Sequence, residues 1–308
     1  MTMHVVYRSV AGESGKLRPG YYSKLLCLLS LLWSLEGCAE PVDVVFVNDG
    51  PVAAEIARVM RKRGQLVELP HVGKFRSLKV ALSLVDWRPW DDDDIVYFGE
   101  DDYLFAQDAL PSLLTAARTI TDASYFTLYD YPGWYSDDPY RNGRLAAAAP
   151  TRRWRPVEST THSFGARVAA VRTDAWVLAM ATREGVTGRL VGRASGSYPE
   201  DRAAWCALQG LRPYAALEGF VHLLGRRSGI PSDGAYLAFQ LGRRMLRQRL
   251  PARALMCPAP ALATHMESRY LAKGVDWRAI AEMTASWAER NRIAESTDLA
   301  LRRSMPPA

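Results

Sequence analysis

Glu100, Asp101 and Asp102 follow directly on residues 94–99, Asp-Ile-Val-Tyr-Phe-Gly, a short apolar run that reads as a buried strand. Carboxylates at the C-terminal end of such a strand stand where open α/β sheets bind ligands. Three like charges in succession repel, and burying them is costly unless something cationic compensates. A hard divalent ion held by oxygen does so, and such an ion typically also holds substrate phosphates. The triplet therefore points to a Mn2+ or Mg2+ site for a diphosphate. The competing reading is an acidic loop that only solvates itself, as the run from Asp91 to Asp94 just upstream reads.

A second acidic pair, Glu200-Asp201, follows Gly196-Ser197-Tyr198-Pro199 and precedes the apolar Ala203-Ala204-Trp205. At a helix N-terminus such residues are favoured by the dipole and can serve only as caps. Beside a bound sugar, however, a carboxylate is a suitable general base for an acceptor hydroxyl. His265 is one of five histidines, and its worth as a metal ligand depends on whether the chain returns it to the triplet. Asn48-Asp49-Gly50 closes a predicted strand, where a carboxylate can accept from a base or ribose or simply start the next helix. Arg8 and Ser9, after a first strand that includes Tyr7, and Arg76 with Lys79 offer hydrogen-bond donors to phosphate or base. Residues 10–16, Val-Ala-Gly-Glu-Ser-Gly-Lys, partly imitate a phosphate loop but lack the GxxxxGK[ST] spacing.

To bring these residues together the chain needs an α/β sheet. Strands are expected at residues 4–8, 42–48, 66–69, 95–98 and 125–129, with helices at 22–35, 52–63, 75–85 and 109–120 between them. That alternation predicts a mostly parallel central sheet flanked by helices. The second half is less regular. Residues 131–156 read as a long loop or hairpin around Asn142-Gly143, followed by a strand at 163–171 and a helix at 173–181. Then come a Gly-rich loop at 185–196, a helix from Glu200 to Leu208, and a proline-rich stretch at 257–260. The expected organisation is a nucleotide-binding half at 1–130, an acceptor-binding and catalytic half of the same domain at 131–270, and a helical extension at 271–308.

The 308 residues are enough for an ample core, and 48% hydrophobic with 23% charged residues describes an ordinary globular protein. A net charge of +6 suits a protein that handles phosphate-bearing molecules without singling out nucleic acid. The basic C-terminal third, with Arg226, Arg227, Arg243, Arg244, Arg247, Arg249 and Arg253, reads as a solvated face. Its alternatives are an electrostatic funnel or contact with acidic lipid, so membrane contact is at most peripheral. The apolar run at 25–35 is far short of the ~20 residues of a membrane span, and no secretory layout opens the chain, so a cytoplasmic location is expected. Cys27, Cys38, Cys206 and Cys257 form no CxxC pair and read as reduced core residues.

Taken together, three segments resemble nucleotide-sugar-dependent glycosyltransferases of the GT-A type, close to the inverting family-2 group. Residues 45–50, Val-Phe-Val-Asn-Asp-Gly, look like that family's second strand and base-contacting Asp. Residues 98–103, Phe-Gly-Glu-Asp-Asp-Tyr, look like its DxD-type metal motif, here Glu-x-Asp. Residues 198–205, Tyr-Pro-Glu-Asp-Arg-Ala-Ala-Trp, look like the Glu-Asp motif that carries the catalytic base. The resemblance implies a GT-A-like (Rossmann-like) α/β fold with a smaller acceptor-side region. It implies metal ligation by Asp102, Glu100 and His265, and donor-sugar contact by Glu100 and Asp101. Asp201 would be the base, with Glu200 as the lesser candidate. The donor site would be completed by Tyr7, Arg8, Ser9, Asn48, Asp49, Arg76 and Lys79, and the acceptor stacked on Tyr131, Trp134 and Tyr135. The partners implied are a nucleoside-diphosphate sugar and a glycan, lipid or small natural-product acceptor. Two alternatives stand beside this: a sugar-phosphate nucleotidyltransferase, and a non-catalytic sugar-nucleotide or glycan-binding module.

Overall fold

The computed structural model describes residues 1–133, 147–149, 152–180, 204–206, 208–211 and 252–293. Strand β1 (Met3–Val10) lies between β2 (Val42–Asp49) and β4 (Ile95–Glu100), and β3 (Gln65–Leu69) flanks β2, all four parallel. Strands buried on both faces read as near-continuous apolar runs, and seven of the eight residues of β1 are buried. Beyond β4 the sheet becomes mixed. It continues through β9 (Phe164–Arg167), β6 (Tyr125–Phe126), β10 (Leu255–Ala259), β8 (Arg152–Pro156) and β7 (Ala147–Ala149). A separate two-stranded ribbon pairs β5 (Tyr103–Phe105) with β11 (Ala263–His265), setting His265 opposite Tyr103.

Helix α1 (Lys24–Leu35) is capped by Ser23, whose hydroxyl accepts from the Leu26 N–H at 3.0 Å. It is buried almost all round because the ribbon strand β5 packs on it and α6 (Trp277–Arg290) adds a second contact. That second contact stacks Trp33 on Trp287, while the Trp287 indole N–H donates to Glu36 at 2.9 Å. Each fully buried Leu of α1 contributes about 1.5–3 kcal/mol. Helices α2 (Ala54–Arg63) and α3 (Lys74–Trp87) follow β2 and β3, α4 (Ala109–Thr119) follows the ribbon strand β5, and α5 (Val168–Met180) follows β9. No helix among the described residues is long and apolar enough to cross a membrane.

Three local expectations are corrected. The strand expected at 163–171 stops at Arg167, and residues 168–171 open α5. The Val168 and Ala169 amides donate to Asp94 and Asp92 carbonyls, which pulls the chain out of the sheet, and the β-branched Val168 and Val171 are buried on a helix instead. The strand expected at 125–129 ends at Phe126, where the Thr127 hydroxyl accepts the Tyr129 N–H and bends the backbone. The proline-rich 257–260 stretch, to which the sequence assigned no element, falls largely in β10. The β6 ladder reaches only Leu255 and Met256, so Pro258 lies beyond it and its missing N–H breaks no bond to β6. Finally, Asp94 is not a solvated residue: buried, it accepts from the Thr2 amide at 2.5 Å and bonds the His4 ring at 3.0 Å. All four cysteines are free thiols, three of them buried.

Candidate functional site

The C-terminal ends of β1 and β4 place Arg8 level with Glu100, and the turn after β4 sends Asp101 and Asp102 in different directions. Each carboxylate meets its own cation. The Arg8 guanidinium donates to Glu100, and its other nitrogen reaches the Lys74 carbonyl and the Ser77 hydroxyl. Asp101 turns inward, accepting the Val10 amide at 3.0 Å and pairing with Lys24 at 2.9 Å. Burial pushes its pKa up, an effect that Lys24 offsets only in part.

Asp102 faces the other way, toward the ribbon. Its Oδ2 lies 3.0 Å from His265 Nε2, 3.0 Å from the Lys16 ammonium and 3.1 Å from the Arg18 guanidinium. Burial alone would raise its pKa, but the hydrogen bond with His265 and the positive charge of Lys16 hold it well below the usual carboxylate range. The β5–β11 pairing brings His265 here, and the Met266 amide donates to the Asp102 carbonyl at 2.8 Å. The His265 ring packs edge-on against Tyr103 and at a tilt to Tyr270.

Asp102 and His265 have the chemistry of a divalent-cation pair: an ionised carboxylate oxygen and an imidazole nitrogen converging on one point. The Lys16 ammonium, 3.1 Å from His265 Nε2 as well, already stands as a cation between them. Glu100 does not join the set expected from the sequence, because Arg8, its cross-strand neighbour, captures it and His162 Nδ1 lies 3.9 Å away. Among the described residues no three His, Cys, Asp or Glu side chains converge.

The other donor-side residues are placed as follows. Ser9 donates to the Asn48 side chain at 2.7 Å, and Asn48 donates to the Gly50 carbonyl at 2.5 Å. Asp49 is fully buried and accepts the Val72 and Gly73 amides at 2.6 and 2.8 Å, tying the end of β2 to the start of α3. Gly73, at φ 93°, permits that turn. Arg76 and Lys79 are exposed on α3. Tyr7 lies in the core against Phe46, its hydroxyl without a hydrogen-bond partner among the described residues. On the acceptor side, Tyr131 packs at a tilt on Tyr270. Trp134, Tyr135, the 185–196 loop, the Arg226–Arg249 cluster, Glu200 and Asp201 lie outside the described residues.

No family model matches the chain, and no curated protein matches it. Solved structures resemble it in part. S. aureus TarS aligns over 56% of this chain and 30% of its own, at 13% identity and a TM-score of 0.36. The galactosyltransferase LgtC, in complex with donor and acceptor sugar analogs, aligns over 66% of this chain and 69% of its own, at 13% identity and a TM-score of 0.37. Mouse xyloside xylosyltransferase 1 aligns over 67% and 80%, at 8% identity and a TM-score of 0.36. The match thus spans less than a third of TarS. Scores this low leave function to the site itself.

Lys24, Arg18, His162 and Tyr270 also stand at the site, and nothing in the local sequence marks them. Only Lys16 carried a signal, as the last residue of the incomplete phosphate-loop imitation. Arg18 also donates to the Met266 carbonyl at 2.7 Å and so braces the 11–20 loop on the segment bearing His265.

Proposed function

We propose that the protein is a glycosyltransferase that moves a sugar from a nucleoside-diphosphate sugar to a hydroxyl or amine of a glycan, lipid or small natural-product acceptor, with inversion. The observation that carries this reading is the meeting of Asp102 and His265 beneath the cationic heads of Lys16 and Arg18, at the C-terminal edge of a parallel sheet. A ligand pair for a hard cation ringed by side-chain cations is what a departing diphosphate requires.

When bound by Asp102 and His265, Mn2+ or Mg2+ supplies Lewis-acid neutralisation of the charge that develops on the leaving diphosphate. Asp102 stays ionised for this role. Arg18, already fixed on the Met266 carbonyl, adds a positive field without having to reorganise. Ser9, Asn48 and Asp49 order the floor beside the nucleotide, while Arg76 and Lys79 on α3 are its solvent-side contacts. Asp201 takes the acceptor proton as the acceptor oxygen or nitrogen attacks the anomeric carbon and the carbon–oxygen bond to the diphosphate breaks. Glu200 is the lesser candidate for that step. Support for this placement comes from Ala204 and Trp205, which line a small cavity with Thr161 and His162, the segment that flanks Glu100. Tyr131, together with Trp134 and Tyr135, stacks on the acceptor.

Incubation with Mn2+ and a panel of sugar nucleotides tests the reading. Slow release of nucleoside diphosphate, from hydrolysis in the absence of acceptor, is the expected result. The approach of Lys16 to Asp102 gives nucleotidyl transfer one observation in its favour. Release of pyrophosphate from a nucleoside triphosphate and a sugar phosphate would establish that reaction instead, and binding without turnover would leave only a recognition module.

A further inference from the structure

We propose that Lys16 is a diphosphate-binding residue that, before the donor arrives, holds the place of the divalent cation between Asp102 and His265. The proposal rests on the transferase reading for its ligand, and on geometry for the place.

Lys16 sits on the exposed 11–20 loop between β1 and α1, and its ammonium makes two contacts among the described residues. Both are with the candidate metal ligands, Asp102 Oδ2 at 3.0 Å and His265 Nε2 at 3.1 Å. The ammonium has donors for both, so the carboxylate oxygen and the imidazole nitrogen stand as a ligand pair around one cation.

A divalent ion bonds oxygen at about 2.0–2.6 Å. An ammonium 3.0 Å from the same oxygen occupies that volume and repels the incoming charge, so ion and ammonium exclude each other. Lys16 has four flexible methylenes and a backbone without regular secondary structure, so it swings aside at small cost. Once displaced it remains beside a doubly charged ion and needs an anion, and the diphosphate held by that ion provides one. The neighbouring Arg18 is tied to the Met266 carbonyl and the Ser14 hydroxyl and lacks this freedom.

The role predicts opposite effects from one change. In Lys16→Met, and equally in Lys16→Gln, affinity for Mn2+ alone, read from the free-ion EPR signal, should rise on the order of tenfold. With Mn2+ saturating, calorimetric affinity for the best-binding member of a UDP, GDP, ADP and CDP panel should fall on the order of tenfold. Adding Asp102→Asn to Lys16→Met should remove the Mn2+ gain. Lys16 is exposed, and coincident melting curves check that the variants fold. Unchanged or weaker Mn2+ binding overturns the place-holding role, as does a gain that survives Asp102→Asn or a protein that binds no Mn2+ at all. Unchanged nucleotide affinity overturns the diphosphate role. A wild-type protein that binds Mn2+ but none of the four nucleotides sinks the transferase reading and the diphosphate role with it. The Mn2+ comparison still decides, in that case, whether Lys16 holds the cation's place.

Discussion

His265 Nε2 and Asp102 Oδ2 lie 3.0 Å apart although 163 residues separate them in the chain. The contact exists because β11 returns antiparallel to β5, immediately after the acidic triplet. Replacing His265 by Ala should lower sugar transfer on the order of 100-fold or more, the scale seen when a preorganised group facing developing charge is removed. The same change should abolish Mn2+-dependent thermal stabilisation, which reports binding to the native state. Transfer and metal-dependent stabilisation that both persist in the variant would remove His265 from the site.

Asp101 and Asp102 should respond to amidation in opposite directions. Asp102 has a depressed folded pKa, so its charge contributes stability above the unfolded value of about 3.9 that is lost only as pH falls through the folded value. Asp102→Asn should therefore melt below wild type throughout pH 5–8. Asp101 has a raised folded pKa, so its ionisation costs stability as pH climbs from about 3.9 through the folded value. Asp101→Asn should match wild type near pH 4 and melt above it at pH 8. Thermal melts across that range decide the matter, and equal shifts of one sign for both variants would contradict the two environments.

The parallel half of the sheet was legible because strands β1, β2 and β4 are buried on both faces and so carry near-continuous apolar runs between helical patterns. The triplet's place at the end of β4 was legible for the same reason. Its electrostatics were not. The triplet pointed to a divalent ion, but nothing marked Arg8, Lys24 and Lys16 as partners of three different members, because cross-strand register and loop closure leave no mark in local sequence. Asp49 shows a related limit: its position at the end of β2 was readable, but not that both oxygens would be taken by the Val72 and Gly73 amides.

The assignment of Asp201 makes a kinetic prediction distinct from any binding effect. General-base catalysis contributes about 10²–10⁴-fold. Asp201→Asn should therefore lower kcat by that order, while calorimetric affinity for nucleoside diphosphate with Mn2+ stays within about twofold of wild type. Glu200→Gln should cost far less. Reversed severities would transfer the role to Glu200, and near-normal kcat in both variants would eliminate the pair.

Arg8 and Glu100 should behave as a coupled unit. Both side chains are largely buried, at 10% and 18% exposure, and the guanidinium holds Glu100 away from Asp102 and His265. Removing one member of a buried pair leaves an uncompensated charge and typically costs about 3–5 kcal/mol, whereas an apolar replacement of both can be neutral. Arg8→Leu and Glu100→Leu should each destabilise strongly in urea melts, and the double variant should be less destabilised than the sum by about 0.5–3 kcal/mol. Strict additivity would show the contact to be energetically idle. Coupling of the expected sign would establish that Glu100 is held by the protein's own cation, which makes Asp102 the member of the triplet left to face the ligand.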